Sequence, residues 1–514
     1  MQSTVLTIIL LALLCLAEFA AAEDCLPYTS INSDFKFGQY PNQNYCSKAI
    51  TCTFNVTVRR DYYAEFFIGG TMVGSDYYTV SDSGGHYVFS GRLNGSHSFY
   101  FSEGVNIFTL YCPPNSTFNS TIYIGAFYNE LPSSINATYS IGSDKRAVLL
   151  TDISSYITKT VITANQSNSL TVDLLLRHDD DYNPYFYTSG YLVYGGPNNV
   201  PLGSLFFWHI QNQTFDSSPH NQITIVQIRP GFDNIVIINV PENTAKYKSA
   251  DGTVSRYYIT KSPMNTSCVW DVVLDARNGP AALTIWTLTL YPWSFLAGIT
   301  FDSDNDSTVY LDAGAPTNND IYRIATYKKN SDGNLFPQLL SPYLITFYAT
   351  KGIHILHLTF RSKELDEFRH PTIGRKGFVT SPWYPFSSYT GYSISDYGEM
   401  RLSGANVSCI KITSASIFFN DDPQEFQNRK MEFQIWNANE NNFTQHLDNQ
   451  TASYNSTFFS GNGKYLEWSF FVCENCSRAN SGYYFTFEFG STNKLSLGMP
   501  VIIVLTIRLF SNFI

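Results

Sequence analysis

The sequence predicts an all-β protein of tandem β-sandwich modules, and three observations carry that prediction. Aromatic residues make up 16% of the chain and charged residues only 14%, a balance that favours strands over helices. Short apolar-alternating or β-branched runs dominate: "TFNVTV", "YYAEFFI", "LTVDLLL", "ITIVQI", "NIVIINV", "LTIWTLTL", "HILHLTF", "KMEFQIW" and "YYFTFEF". Each has strand length and strand periodicity. Turn chemistry separates them, in "IGG", "SDSGG", "YGGPNN", "RPGFDN", "NSDGN" and "SGNGK", as sandwiches and barrels require. Only "RSKELDEFRHP" reads as helix, of one or two turns.

The chain begins "MQSTVLTIILLALLCLAEFAAAED". Val5 to Leu16 is an apolar core of leader length, and Ala20 and Ala22 form an A-x-A cleavage pattern. The segment before that core lacks a positive charge, and a short buried helix is the alternative. A secretory leader over 1–22 is the expectation, with Glu23 opening the mature chain.

Of the nine cysteines, Cys15 lies in that leader. Cys25, Cys46, Cys52, Cys112, Cys268, Cys409, Cys473 and Cys476 remain, an even set expected to form disulfides in an oxidising compartment. The first four cluster and are expected to pair among themselves; the other four permit three pairings. N-glycosylation sequons at Asn55, Asn94, Asn115, Asn119, Asn136, Asn165, Asn212, Asn265, Asn305, Asn406, Asn442, Asn449, Asn455 and Asn475 span the mature chain. Their density places it in the secretory lumen.

A length of 514 residues allows several domains. A Gly-led strand recurs in "EGVNIFTLYC", "PGFDNIVIINV", "KGIHILHLTF" and "SGYYFTFEFG". The glycines Gly104, Gly231, Gly352 and Gly482 lie 127, 121 and 130 residues apart, the size of one sandwich. A cysteine-led strand recurs at Cys52, Cys268 and Cys409, with "NSLTVDLLL" in its place in the second unit. Four modules follow: 23–128, 129–244, 245–362 and 363–490.

Four stretches carry a resemblance. "GFVTSPWYP", Gly377 to Pro385, resembles the opening of a CUB domain, and "GTVSRYYITKSP" is a looser echo. "AITCTFNVTVRRDYYAEFFIGG" and "YYTVSDSGGHYVF" resemble the nematode CUB-like family, with Asp61 where a "GYYA" hairpin has Gly. The resemblance covers the first and last modules and weakens in the third and second. It implies jelly-roll-type, CUB-like sandwiches in a secreted or surface-anchored protein linked to innate immune or stress responses. The calcium site of typical CUB domains does not carry over, because "RKMEFQIWNANE" lacks the Asp-Tyr pair.

Catalytic signatures are missing: there is no G-x-S-x-G, H-E-x-x-H or G-x-x-x-x-G-K-[ST]. His354 and His357, three apart on a strand, face opposite ways and cannot share a metal. Asp302, Asp304 and Asp306 begin like a calcium loop, but Ser307 and Ala313 stand where its Gly and Glu belong. Asp179 to Asp181 reads as a solvated loop. "CENC", Cys473 to Cys476, follows a strand rather than opening a helix, so it reads as disulfide halves and not a redox pair. No cofactor is expected. The formal charge of −10, without a basic cluster, argues against nucleic acid. Aromatics in "SPWYPFSSYTGY" and "TLTLYPWSF" can pack in the core or meet a ligand; Trp383, Tyr384 and Trp293 are the candidate ligand contacts.

The chain ends "STNKLSLGMPVIIVLTIRLFSNFI". Arg508 would be costly inside a membrane span. Small residues, a spacer and a hydrophobic tail fit a GPI signal, with a propeptide of 491–514 and Gly490 or Ser491 as the attachment site. The "NKLS" spacer is short for that signal. A short membrane anchor or a buried terminal strand are the alternatives. The expectation is a glycosylated, GPI-anchored binding protein on the outer face of the plasma membrane, or secreted. Its partner would be an extracellular protein or glycan, and it would not be an enzyme. The alternatives are an extracellular enzyme with a site assembled from distant residues, or a structural coat glycoprotein.

Overall fold

Alternation of apolar and polar residues gives each strand one face to bury, and here the strands bury it by pairing sheets. The computed structural model describes residues 30–31, 35–40, 50–72, 75–84, 87–91, 94–112, 121–142, 147–151, 157–165, 167, 169–175, 190–205, 215–216, 220–228, 235–244, 256–259, 269–286, 294–301, 307–317, 320–329, 333–342, 344–359, 361–382, 384, 394–404, 407–418, 430–437, 440–448, 452–454, 459–472 and 482–491. They fall into two compact units, Met1–Pro241 and Glu242–Ile514.

The first unit opens with β1 (Ser30–Ile31), β2 (Phe35–Tyr40), β3 (Ile50–Val58), β4 (Tyr62–Thr71), β5 (Tyr77–Ser81), β6 (Tyr87–Gly91), β7 (Asn94–Phe101), β8 (Gly104–Cys112) and β9 (Thr121–Glu130). They form two sheets, in the orders β1-β3-β8-β5-β6 and β2-β9-β4-β7. The inner faces interlock through Phe54, Phe66, Tyr78, Phe108 and Ile124, with the Phe66 and Phe108 rings 4.9 Å apart between the sheets.

The unit continues with β10 (Ala137–Ile141), β11 (Val148–Thr151), β12 (Thr158–Ala164), β13 (Thr171–Leu175), β14 (Tyr191–Gly195), β15 (Val200–Ser204), β16 (Phe215–Asp216), β17 (Gln222–Gln227) and β18 (Ile235–Asn239). Their orders are β10-β12-β17-β14-β15 and β11-β18-β13-β16, the first sandwich repeated strand for strand. An aliphatic core of Ile162, Val172, Val193, Ile225 and Ile238 fills it.

In the second unit, β19 (Arg256–Ile259), β20 (Val269–Ala276), β21 (Ala281–Trp286), β22 (Phe295–Phe301), β23 (Thr308–Ala313), β24 (Arg323–Lys328), β25 (Gln338–Leu339), β26 (Leu344–Ala349) and β27 (Gly352–Thr359) repeat the plan again. In each of these three sandwiches the first strand lies parallel to the third, as in Ser30 opposite Asn55, Ala137 opposite Thr160 and Arg256 opposite Ala282.

Helix α1 (Ser362–Arg369) lies in the "RSKELDEFRHP" stretch and buries Phe368 against Phe295. The last sandwich comprises β28 (Lys376–Thr380), β29 (Ile394–Arg401), β30 (Ser408–Phe418), β31 (Lys430–Asn437), β32 (Glu440–Asp448), β33 (Ala452–Tyr454), β34 (Phe459–Gly463), β35 (Tyr465–Val472) and β36 (Gly482–Gly490). One sheet runs β28-β36-β30, with β33 and β34 both on β30; the other runs β29-β35-β31-β32. The protein is thus an all-β chain of tandem sandwiches.

The architecture corrects the internal period. The strands after Gly231, Gly352 and Gly482 are β18, β27 and β36, counterparts of β9 and not of the Gly104 strand β8. The strands that hold Cys52 and Cys409 are β3 and β30, and the strand that begins just after Cys268 is β20; the three occupy different slots. The reason is physical: β8 and β9 are both central strands of facing sheets, so both bear the same apolar alternation. Alternation alone does not distinguish the two.

Candidate functional site

Within the first unit, the hairpin before β4 and the turn after β14 bracket a cleft of about 330 Å³. Asp61 holds it from one side with φ 64°, a left-handed conformation that Asp tolerates. The Asp61 carbonyl accepts the Leu131 N–H at 2.9 Å. Opposite, Asn199 also takes a positive φ of 52° in the "GGPNN" turn, and its Oδ1 accepts the Thr224 hydroxyl at 3.1 Å.

The cleft wall is polar and carries both signs of charge: Asp61, Glu103 and Glu130 against Arg60 and Lys159. The Tyr62 hydroxyl donates to Glu130 Oε1 at 2.6 Å, and that bond raises the phenol's pKa. The Arg59 guanidinium lies 3.6 Å from the centre of the Tyr62 ring. Tyr194 and Val226 of the cleft's lining belong to a buried cluster with Tyr63, Tyr100, Leu192 and Ile228.

Tyr194 stands out. It is 3% exposed and lines the cleft, and its hydroxyl is buried without a hydrogen-bond partner among the described residues. Burial pushes its pKa well up, and the negative charges of Glu103 and Asp61 push it further. It is therefore a neutral donor throughout the physiological range. A buried hydroxyl left unpaired costs about 1–3 kcal/mol by mutational measures, and a polar ligand recovers that cost. None of these residues was a sequence candidate. The one signal was Asp61 in place of Gly, because a positive φ marks a turn; the cleft itself unites residues far apart in the chain.

A second arrangement lies in the other unit. On the outer face of the sheet β20-β27-β22, Asp271 Oδ1 sits 2.6 Å from His357 Nδ1, and Thr300 Oγ1 sits 2.7 Å from His357 Nε2. Carboxylate, imidazole and hydroxyl form a line across three neighbouring strands, beside a β-bulge between Leu296 and Gly298. His354, in contrast, is buried and its Nε2 lies 2.9 Å from the Lys351 carbonyl. The two histidines do face opposite sides of the sheet.

Two candidates are corrected. Tyr384 is no ligand contact: it is 4% exposed, stacks on Tyr484 at 5.6 Å and joins the core of the third sandwich. The "SPWYP" run turns its tyrosine inward because the turn at Ser381 to Tyr384 is pinned by backbone and hydroxyl bonds to Tyr483. Cys409 is not a disulfide half. It is a free thiol, buried on β30 opposite Gly490, and burial raises its pKa.

Cys52 is buried and disulfide-bonded. Cys112 closes β8, with its side chain outside the description. Asn55, Asn136 and Asn165 are exposed, and Asn94 and Asn442 lie on strands. Gly490 ends β36 with its carbonyl accepting the Ser408 hydroxyl at 2.7 Å, and Ser491 is exposed just beyond. Trp293, Trp383, Cys25, Cys46, Cys268, Cys473, Cys476, Asn115, Asn119, Asn212, Asn265, Asn305, Asn406, Asn449 and Asn475 lie outside the described residues, as do Asn455, the Asp179 and Asp302 runs and both chain ends. No described helix is long and apolar enough to cross a membrane, and the described residues hold no cluster of three metal-ligating side chains.

No protein-family model and no curated protein matches the chain. Among solved structures, the CUB1-EGF-CUB2 domains of rat MASP-1 are similar to 41% of this chain over 100% of their own length, at 12% identity and TM-score 0.15. The corresponding domain of human MASP-1/3 is similar to 40% of this chain over 99% of its length, at 11% identity and TM-score 0.14. Sulfolobus turreted icosahedral virus is similar to 89% of this chain over 91% of the matched chain, at 8% identity and TM-score 0.16. At these scores none of the likenesses bears on function.

Proposed function

We propose that this is a glycosylated, GPI-anchored cell-surface binding protein whose ligand seats in the cleft of the first unit. The observation that carries the proposal is Tyr194, which lines a polar cleft with its hydroxyl buried and unpartnered. A ligand whose hydroxyl or amide groups both accept and donate fits that donor and the flanking acceptors of Asp61, Glu103 and Asn199. An extracellular glycan has that chemistry. Supporting an outside location are the leader, the sequon density and the apolar tail, with exposed Ser491 the better-placed attachment residue of the two. Membership of the nematode CUB-like family, and a role in host defence, rest on the residues of that resemblance.

The test is a glycan array probed with the full chain from a glycosylating host, alongside Tyr194→Phe. Selective binding by the wild type that Tyr194→Phe weakens is the expected result; equal binding by both, or none, refutes the cleft. Phospholipase release from intact cells, with mass spectrometry of the mature C-terminus, tests the anchor.

The Asp271–His357–Thr300 line favours a second reading, an esterase-like enzyme. There His357 would take the Thr300 proton as Thr300 Oγ1 attacks an ester carbonyl and pass it to the alcohol that leaves as the ester C–O bond breaks, and water would then release the acyl group. Turnover of nitrophenyl esters that His357→Ala abolishes would select it; unchanged turnover in that variant would dismiss it.

A further inference from the structure

The outer face of the sheet β1-β3-β8-β5-β6 leaves apolar groups uncovered. Val105 is 48% exposed and Ile107 37%, both pointing outward from β8. The neighbouring strand β3 presents its own outward row, and its register is fixed: Asn55 lies directly opposite Ile107, and Thr57 opposite Val105. Opposed side chains on one face stand about 4.5–5.5 Å apart at Cβ. Asn55 and Thr57 are the acceptor and hydroxyl of a sequon, so the attachment point sits beside the uncovered apolar pair.

We infer that an N-glycan on Asn55 lies along this face and covers Val105 and Ile107. This rests on the reading that the chain matures in the secretory lumen. The first sugar of such a glycan is held at Asn55, within side-chain reach of Ile107. The apolar faces of its rings can then pack on the two side chains while its hydroxyls remain in water. Uncovered, an apolar patch at a sheet surface invites self-association. Asn136 has an exposed apolar neighbour, Ile135 at 54%, but beside it in sequence rather than opposite it across a sheet. Asn165 does not: its neighbours Ile141 and Ala164 are both buried.

The experiment uses the full chain from a glycosylating host. Peptide mass mapping reads occupancy of Asn55, and binding of an apolar fluorescent dye and light scattering read exposure and self-association. The expected results are an occupied Asn55, and a several-fold rise in dye binding for Asn55→Gln. Asn165→Gln should stay at the wild-type level, and Val105→Thr with Ile107→Thr should cancel the effect of Asn55→Gln. If Asn55→Gln does not fold, amidase removal of glycans from the folded wild type should raise dye binding, and the Val105/Ile107 double variant should blunt that rise. An unoccupied Asn55 overturns both the glycosylation reading at this site and the cover. An occupied Asn55 whose loss leaves dye binding unchanged overturns the cover alone.

Discussion

Tyr194→Phe separates the cost of an unpaired group from its use. The side chain is buried and its hydroxyl has no partner among the described residues. Removing that oxygen leaves the ring and its contacts with Leu192 and Val226 in place. The free protein is therefore expected to gain about 1–3 kcal/mol. For a domain of about 150–250 residues each kcal/mol moves Tm by about 2–4 °C. The first unit should thus melt about 2–12 °C higher, read by scanning calorimetry on the ligand-free chain. The same change should weaken ligand binding, because a net hydrogen bond is worth about 0.5–1.5 kcal/mol, or about two- to tenfold in Kd. Stability and affinity move in opposite directions only if the hydroxyl is idle until a ligand arrives. A lower Tm for Tyr194→Phe would mean that the oxygen is already satisfied in the free protein, and the argument for the cleft would fail.

Three further outcomes are expected. Cys409 should resist alkylation in the folded chain and react after unfolding, since its thiol is buried and burial disfavours the thiolate; mass mapping of the labelled peptide checks it, and prompt labelling of the native protein would contradict its burial. His97, which shares a hydrogen bond with buried Tyr78, has its pKa lowered from 6.5 by burial. As pH falls below about 6.5 the unfolded chain takes up the proton first, so stability declines there and is unaffected above; urea midpoints should fall with pH more steeply for the wild type than for His97→Gln. Gly398→Ala should destabilise the last sandwich by about 1–3 kcal/mol, because the new methyl would strike the Trp468 ring that covers Gly398 across the β29-β35 pair; an unchanged denaturation midpoint would show that the ring moves aside.

Strand character was legible in the chain because burial of one sheet face imposes a two-residue period, and "TFNVTV" and "KMEFQIW" show it directly. Each lies in a strand whose alternate residues are buried, Phe54 and Val56 in β3, Met431 and Phe433 in β31. The helix at Ser362 was equally legible, because its charged residues interrupt that period. The frame of the repeat was not, since β8 and β9 meet the same core from opposite sheets and carry the same pattern.

The chain's own order of residues determined the all-β class, the turn positions and the inventory of sequons and cysteines, because each depends on neighbours within a few residues. Only the tertiary structure decided which side chains share a place. Tyr62 meets Glu130 across 68 residues, His357 meets Asp271 across 86, and Tyr384 turns into the core rather than out. Those outcomes depend on register and on the facing of sheets, and local sequence encodes neither: a strand states which of its faces is apolar, and folding alone states what that face, or the opposite one, will touch.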